Sequence, residues 1–211
     1  MKSFQLLSAT LSILSLSTAS PCKPRSSVVI TSDQIIAIAP NSTSCANAPA
    51  LADGECATAA IAAPAISTSF NKYAITSKAE QAAIIALMAF ESAEFWYSRN
   101  HFPGVAGQGT RNMQSPAFNK LYAESLPALK GRLDAVQDDP AALLDLLLED
   151  KAVDFGSGAW FLKTQCEDSV REALQNDGEE GWKGYITECV GTEANEGRRA
   201  YWVAAVEALG A

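Results

Sequence analysis

Along most of this chain, apolar positions recur at helical spacing and not in strand-like alternation. Ala57 to Phe70 is rich in alanine, with Pro64 placed to limit or kink a helix. Ser77 and Glu80 have the spacing of a capping box, and a run of strong helix formers follows from Lys78 through Phe95. Pro140 to Glu149 reads as a short, very apolar helix behind Asp138 and Asp139 as caps. Residues 158–175 form a further helical stretch, with Trp160, Phe161 and Leu162 near its start and Gly178 and Gly181 closing it. Arg198 to Leu209 supplies the last helix. No sustained period-2 alternation appears downstream of Glu55, and there are no internal repeats. The pattern predicts a mainly α protein of about seven helices around one core, with loops concentrated at 98–112 and 176–197.

The amino-terminal quarter of the chain reads differently. Lys2 followed by the apolar stretch Phe4 to Leu16, then the small residues Ser17 to Ser20, is the pattern of a secretory signal peptide over residues 1–20. The stretch is too short and too serine-rich for a stable membrane span. Residues 21–56 are rich in Pro, Ser, Thr, Asn and Ala and predict an irregular arm with room for one strand or short helix. Residues 57–211 then form the helical domain. All five cysteines follow the cleavage point, as expected of a secreted, oxidised protein. Proximity favours Cys45–Cys56 and Cys166–Cys189 and leaves Cys22 unpaired or in a mobile arm, although spacing alone does not fix connectivity. No CxxC or Cys/His cluster supports a zinc site. Asn41-Ser42-Thr43 is an N-glycosylation acceptor in a polar, hence exposed, segment.

Composition narrows the function classes. With 48% hydrophobic residues in 211, the chain is too apolar to be mainly disordered. Twenty-four acidic against 16 basic residues give a net charge of −8, and no Lys/Arg run offsets it, which argues against nucleic acid as a partner. No later segment is apolar for long enough to enter a membrane. A single histidine, His101, excludes a His-rich metal site and confines any Ser–His–Asp or Cys–His arrangement to that one residue. Neither a metal nor a cofactor is expected, and a monomer is the expected state.

One acidic residue stands out. On a helix through Phe95, Ile84, Met88, Glu91 and Phe95 share a stripe roughly 60° wide, which places Glu91 on the apolar face. An unpaired carboxylate removed from water costs several kcal/mol. Such a group is either tuned to hold a proton, as a general acid is, or paired, with Arg99, Arg111 or Arg198 as available partners. Glu94 lies one turn on, near the stripe's edge. The loop that follows, Asn100 to Gly109, is rich in glycine and aromatic residues. It leads into Thr110-Arg111-Asn112-Met113-Gln114 and Ser115-Pro116. Amide side chains and rings near a helix end suit a sugar-binding cleft, amides bonding N-acetyl and hydroxyl groups and rings covering sugar faces.

These strings carry a resemblance. The segment from IALMAFESAEF to GTRNMQSPAFNKLYA is similar to the part of the lysozyme-like superfamily found in goose-type lysozymes and soluble lytic transglycosylases. There a helix ends in a catalytic Glu followed by Ser, and a loop leads to a Gly-x-Met-Gln element and a proline. Glu91-Ser92 matches the first element, and Asn112-Met113-Gln114 with Pro116 matches the second, without its glycine. Phe155 to Leu162 is similar to the family's Gly-Ala-x-Tyr-Leu helix, and Arg199 to Val203 to its closing helix. The chain also resembles small secreted fungal proteins that share the strings NHFPG and GTRNMQ.

The resemblance implies a lysozyme-like helical fold and acid–base cleavage of β-1,4-linked amino-sugar polymers: peptidoglycan, or chitin and chitosan. Glu91 would protonate the leaving oxygen. Ser92, His101, Asn112, Met113 and Gln114 would contact substrate, and Tyr185 or Tyr201 would supply the family's aromatic hydroxyl. The oxocarbenium-like centre would be met by the substrate's N-acetyl group, or by water placed through a second acid, for which Glu94 and Asp154 are candidates. The Asp154-Phe155-Gly156 string lacks the glycine-rich loop and strand lysine of a kinase. A non-catalytic secreted protein that keeps the fold for carbohydrate binding or host interaction is the alternative. Net negative charge tilts the substrate toward a cationic polymer such as chitosan.

Overall fold

The structure is a computed structural model, and it describes residues 27–136 and 138–211. The expected signal segment 1–20 and Cys22 lie outside the described residues. The chain is mainly helical: α1 (Ser32–Ile38), α2 (Ala59–Tyr73), α3 (Lys78–Glu91), α4 (Pro116–Glu124), α5 (Pro140–Leu148), α6 (Lys151–Asp154), α7 (Ser157–Gln165), α8 (Asp168–Asn176), α9 (Gly178–Gly184) and α10 (Glu196–Leu209), with short 3-10 turns between them. Among the described residues the only β pairing is two isolated bridges, Arg99 with Gly109 and Gly109 with Gln114.

The centre is α3. Every residue from Glu80 to Ala89 is buried, so this helix is surrounded and not merely laid on a core. Its main neighbour is α10, with α7, α8 and α1 also against it. Alanines at 82, 83, 86 and 89 give it the narrow waist that lets neighbours approach from all sides. A second cluster under α4, α5 and α7 gathers Tyr122, Leu143, Leu146, Leu147, Trp160 and Phe161.

Several expectations shift in register, each for a local reason. Ser77 sits at the N-cap position of α3, but its side chain caps nothing. Its intended partner Glu80 is instead drawn to Arg171 at 2.7 Å and Gln175 at 2.9 Å. Helix α3 stops at Glu91, four residues short of Phe95. Pro64 lies inside α2 without ending it. The stretch 158–175 is two helices, broken where Cys166 is extended and bonded to Cys189. Much of 176–197, expected as loop, is α9 and a π-helical turn at Tyr185–Val190. The arm is more ordered than expected. A capping box of Thr31 and Gln34 starts α1, and Ile35 and Ile38 enter the main core. Both expected disulfides are present, Cys45–Cys56 and Cys166–Cys189. Asn41 is exposed on a 3-10 turn. Among the described residues, no helix is long and apolar enough to cross a membrane.

Candidate functional site

Two adjoining cavities meet at the C-terminal end of α3. The larger, about 300 Å3, is lined by Leu87, Glu91, Gln108, Asn112, Met113, Gln114, Ser115, Phe118, Phe161, Val190, Thr192 and Arg198. The smaller, about 210 Å3, is lined by Glu91, Tyr97, Arg99, Asn100, His101, Phe102, Gln108 and Met113. Glu91, Gln108 and Met113 belong to both. Together they form a groove with Glu91 at its waist.

The chain reaches this geometry by an abrupt reversal. After Glu91, three non-glycine residues in succession, Ala93, Glu94 and Phe95, take positive φ angles of 49°, 58° and 70°. Such a left-handed turn costs roughly 1–2 kcal/mol per residue, and it persists because its surroundings hold it. Ser92 Oγ donates to Met88 O at 2.6 Å and accepts from Phe95 N at 2.9 Å. Arg111, fully buried, donates from Nη1 to Phe95 O (2.8 Å) and Tyr97 O (3.1 Å) and from Nη2 to Glu55 O (2.8 Å). Its remaining edge engages Asp154, and its guanidinium lies 4.8 Å from the Phe155 ring centre. The loop then returns through Gly109, where a Cβ would collide with Ser98 O and stand 2.9 Å from Leu144 Cδ2.

Glu91 is not buried in the core. Its side chain is 20% exposed and paired with Arg198 Nη2 at 2.6 Å. Of the three arginines available from sequence, Arg198 is therefore the partner. It rests on the face of Phe90 at 4.4 Å and comes from the first turns of α10, started by the Asn195 side chain accepting from Arg198 N. A carboxylate and a guanidinium thus share one wall, with the Leu87, Phe118 and Phe161 side chains as apolar lining.

The structure sorts the other expected site residues into two groups. His101, Asn112, Met113 and Gln114 line the groove. The amides among them mostly brace the loop: Thr110 Oγ1 bonds Asn112 Oδ1, Asn112 Nδ2 bonds Gln114 Oε1, and Gln114 Nε2 bonds Asn119 Oδ1. Ser92, Glu94, Asp154, Tyr185 and Tyr201 line neither cavity. Ser92 is the corner of the left-handed turn. Asp154 is fully buried against Arg111, which places it in a structural ion pair and not beside a substrate. Glu94 accepts from Asn41 N at 2.6 Å and from Tyr201 Oη at 2.8 Å, tying the arm to α10. Burial, and then the bond to Glu94, hold Tyr201 protonated up to about 12. Tyr185 is fully buried, and burial, with Glu80 and Glu91 adding, raises its hydroxyl above the ordinary range.

Sequence reasoning missed Glu55, which lies beneath the smaller cavity. Its Oε2 accepts from Ser98 N (2.7 Å), Ser98 Oγ (3.2 Å) and Arg99 N (3.0 Å), and its Oε1 faces His101 Nε2 at 2.8 Å. No periodicity marks it, since it belongs to no helix. Its place beside Cys56 is the one signal.

No family model matches the chain, and no solved structure matches it. Among curated proteins, a bifunctional dioxygenase–epoxy alcohol synthase of Fusarium oxysporum (strain Fo5176) is 50% identical over 155 residues, which is 71% of this chain. The chain spans 12% of that relative's length.

Proposed function

We propose that this is a secreted protein whose groove takes a β-1,4-linked amino-sugar chain, and that Glu91 acts there as general acid in glycosidic cleavage. The observation that carries the reading is Glu91's place at the waist between two cavities, where a polymer lying across both would present a linkage to it. Loop amides and the Phe118 and Phe161 rings suit hydroxyls, N-acetyl groups and sugar faces. In the step, the glycosidic C–O bond breaks, its oxygen takes the proton from Glu91, and the anomeric carbon is met by water or by the substrate's own N-acetyl oxygen. The resemblance to lysozyme-like proteins stands behind the choice of glycan. The activities in the Fusarium relative's name belong to a protein of which this chain corresponds to 12%, too small a share to transfer them.

One observation favours a second reading, glycan binding without cleavage: Glu91 is already engaged by Arg198 at 2.6 Å. Incubation with peptidoglycan, chitin and chitosan, with products read by mass spectrometry, separates the two. Glu91→Gln keeps an acceptor for Arg198, so it is expected to abolish product while leaving glycan binding and the melting temperature nearly unchanged. Binding without product in the wild type would establish the second reading. No binding to any of the three polymers would end both.

A further inference from the structure

Glu94 and Asp154, the two carboxylates expected to assist Glu91, are committed elsewhere, so the groove needs another group if water is to be the nucleophile. The smaller cavity holds one. His101 lines it together with Glu91. Its side chain is 23% exposed, and Nε2 stands 2.8 Å from Glu55 Oε1. Glu55 is 7% exposed, and its other oxygen accepts two backbone N–H groups and a hydroxyl. An ionised carboxylate only accepts, so Nε2 carries the hydrogen and Nδ1 keeps its lone pair. Among the described residues, Nδ1 has no hydrogen-bond partner. A carboxylate that fixes the tautomer of a cavity-facing imidazole is the arrangement of an oriented general base.

We propose that His101 is the general base of this groove and Glu55 its positioning residue. The inference rests on the glycosidase reading above. A water in the smaller cavity gives a proton to His101 Nδ1 as its oxygen bonds the anomeric carbon; the C–O bond to the leaving sugar breaks, and that oxygen takes the proton from Glu91. The imidazolium then returns its proton through solvent, and Glu91 is reprotonated. Water consumed and two sugar hydroxyls formed balance the step. Attack opposite the leaving group makes the product a reducing sugar of inverted configuration. The other charged or titratable groups around the ring are Arg99, 3.7 Å from the same Glu55 oxygen and also bound to Asp145; Tyr97, its ring 5.1 Å from the imidazole; and Glu91 across the cavity. None takes Nδ1.

His101 is the chain's only histidine, so its ring nitrogens give unambiguous NMR signals. In 15N spectra of the wild type, the proton is expected on Nε2, and chitin hexasaccharide should move the Nδ1 signal. His101→Gln can still donate to Glu55 but cannot take a proton. It should lower kcat by about 10²-fold or more with KM little changed, remove the acid limb of the pH profile, and recover activity with added imidazole. Glu55→Gln should lower kcat less and redistribute the proton between the two nitrogens. A proton found on Nδ1, an anhydro or retained product, or a His101→Gln enzyme with the wild-type pH profile would overturn the base while leaving Glu91 in place. Absence of cleavage in the wild type would overturn both.

Discussion

At the scale of single residues, the structure is decided by where charges find partners. Asp154 is a candidate second acid from sequence, yet it accepts from Arg111 Nε at 3.0 Å and Nη2 at 2.7 Å with both side chains fully buried. The same guanidinium holds Phe95 O, Tyr97 O and Glu55 O, so one ion pair fastens the left-handed turn, the loop and the end of the arm. Removing one member leaves the other charged and dry. Asp154→Ala is expected to cost roughly 3–5 kcal/mol in urea unfolding; a loss below about 1 kcal/mol would mean the pair does not tie these segments. Tyr201 offers a test that runs with pH. Its hydroxyl holds its proton up to about 12 in the folded state against the ordinary 10.0. The unfolded chain therefore releases that proton first, and the stability the bond contributes is full below about pH 10 and lost as pH rises toward 12. Tyr201→Phe should be less stable than wild type by about 1 kcal/mol at pH 8. Melting curves of the two should converge between pH 10 and 12, and a gap that stays constant would contradict the Glu94 bond.

At the scale of elements, the helices richest in apolar helix formers were legible, while α1, α4 and α9 and most helix ends were not. Dense helix formers and apolar periodicity locate α2, α3, α5 and α10 to within a few residues, because burial on several sides rewards that composition whatever the neighbours are. The stop after Glu91 has no such signal. Ser-Ala-Glu-Phe reads as helix, and the left-handed turn that replaces it is imposed by Arg111 from elsewhere in the loop, a tertiary contact that overrides propensity. Placing Glu91 on the helix was right, but taking it as a core residue followed from extending the helix through Phe95. Once the helix ends, that carboxylate becomes a terminal group with a cavity on either side. The turn can be tested by relieving its strain. Ala93 is exposed at φ 49°, so Ala93→Gly removes a Cβ from the left-handed region at the expense of a floppier unfolded chain. A net gain of about 0.5–1 kcal/mol in denaturant midpoint is expected. A loss of similar size would place this residue in the right-handed region instead.

At the scale of the molecule, charge and cross-links bear on the groove differently. The net charge of −8 suggested a cationic polymer, but the charged side chains that line the groove are paired: Glu91 with Arg198, and Arg99 with Asp145 and Glu55. The lining charges, Glu91, Arg99 and Arg198, are of both signs, so net charge gives chitosan no local advantage over an N-acetylated chain. The two disulfides, by contrast, each adjoin in sequence a residue tied to the groove. Cys56 follows Glu55, which holds His101; Cys189 precedes Val190, which lines the larger cavity beside Phe161 of α7. They close loops of sequence separation 11 and 23, and loop-closure entropy gives each about 3 kcal/mol, slightly more for the longer. Cys45→Ser/Cys56→Ser and Cys166→Ser/Cys189→Ser should therefore lower unfolding free energy by comparable amounts. Their local consequences should differ. Freeing Cys56 loosens the carboxylate that fixes the imidazole, so the His101 ring signals should broaden or shift in the first variant and stay in place in the second. If both variants leave His101 unchanged while stability falls, Glu55 is held in place without the first disulfide, which then contributes to the fold without shaping the groove.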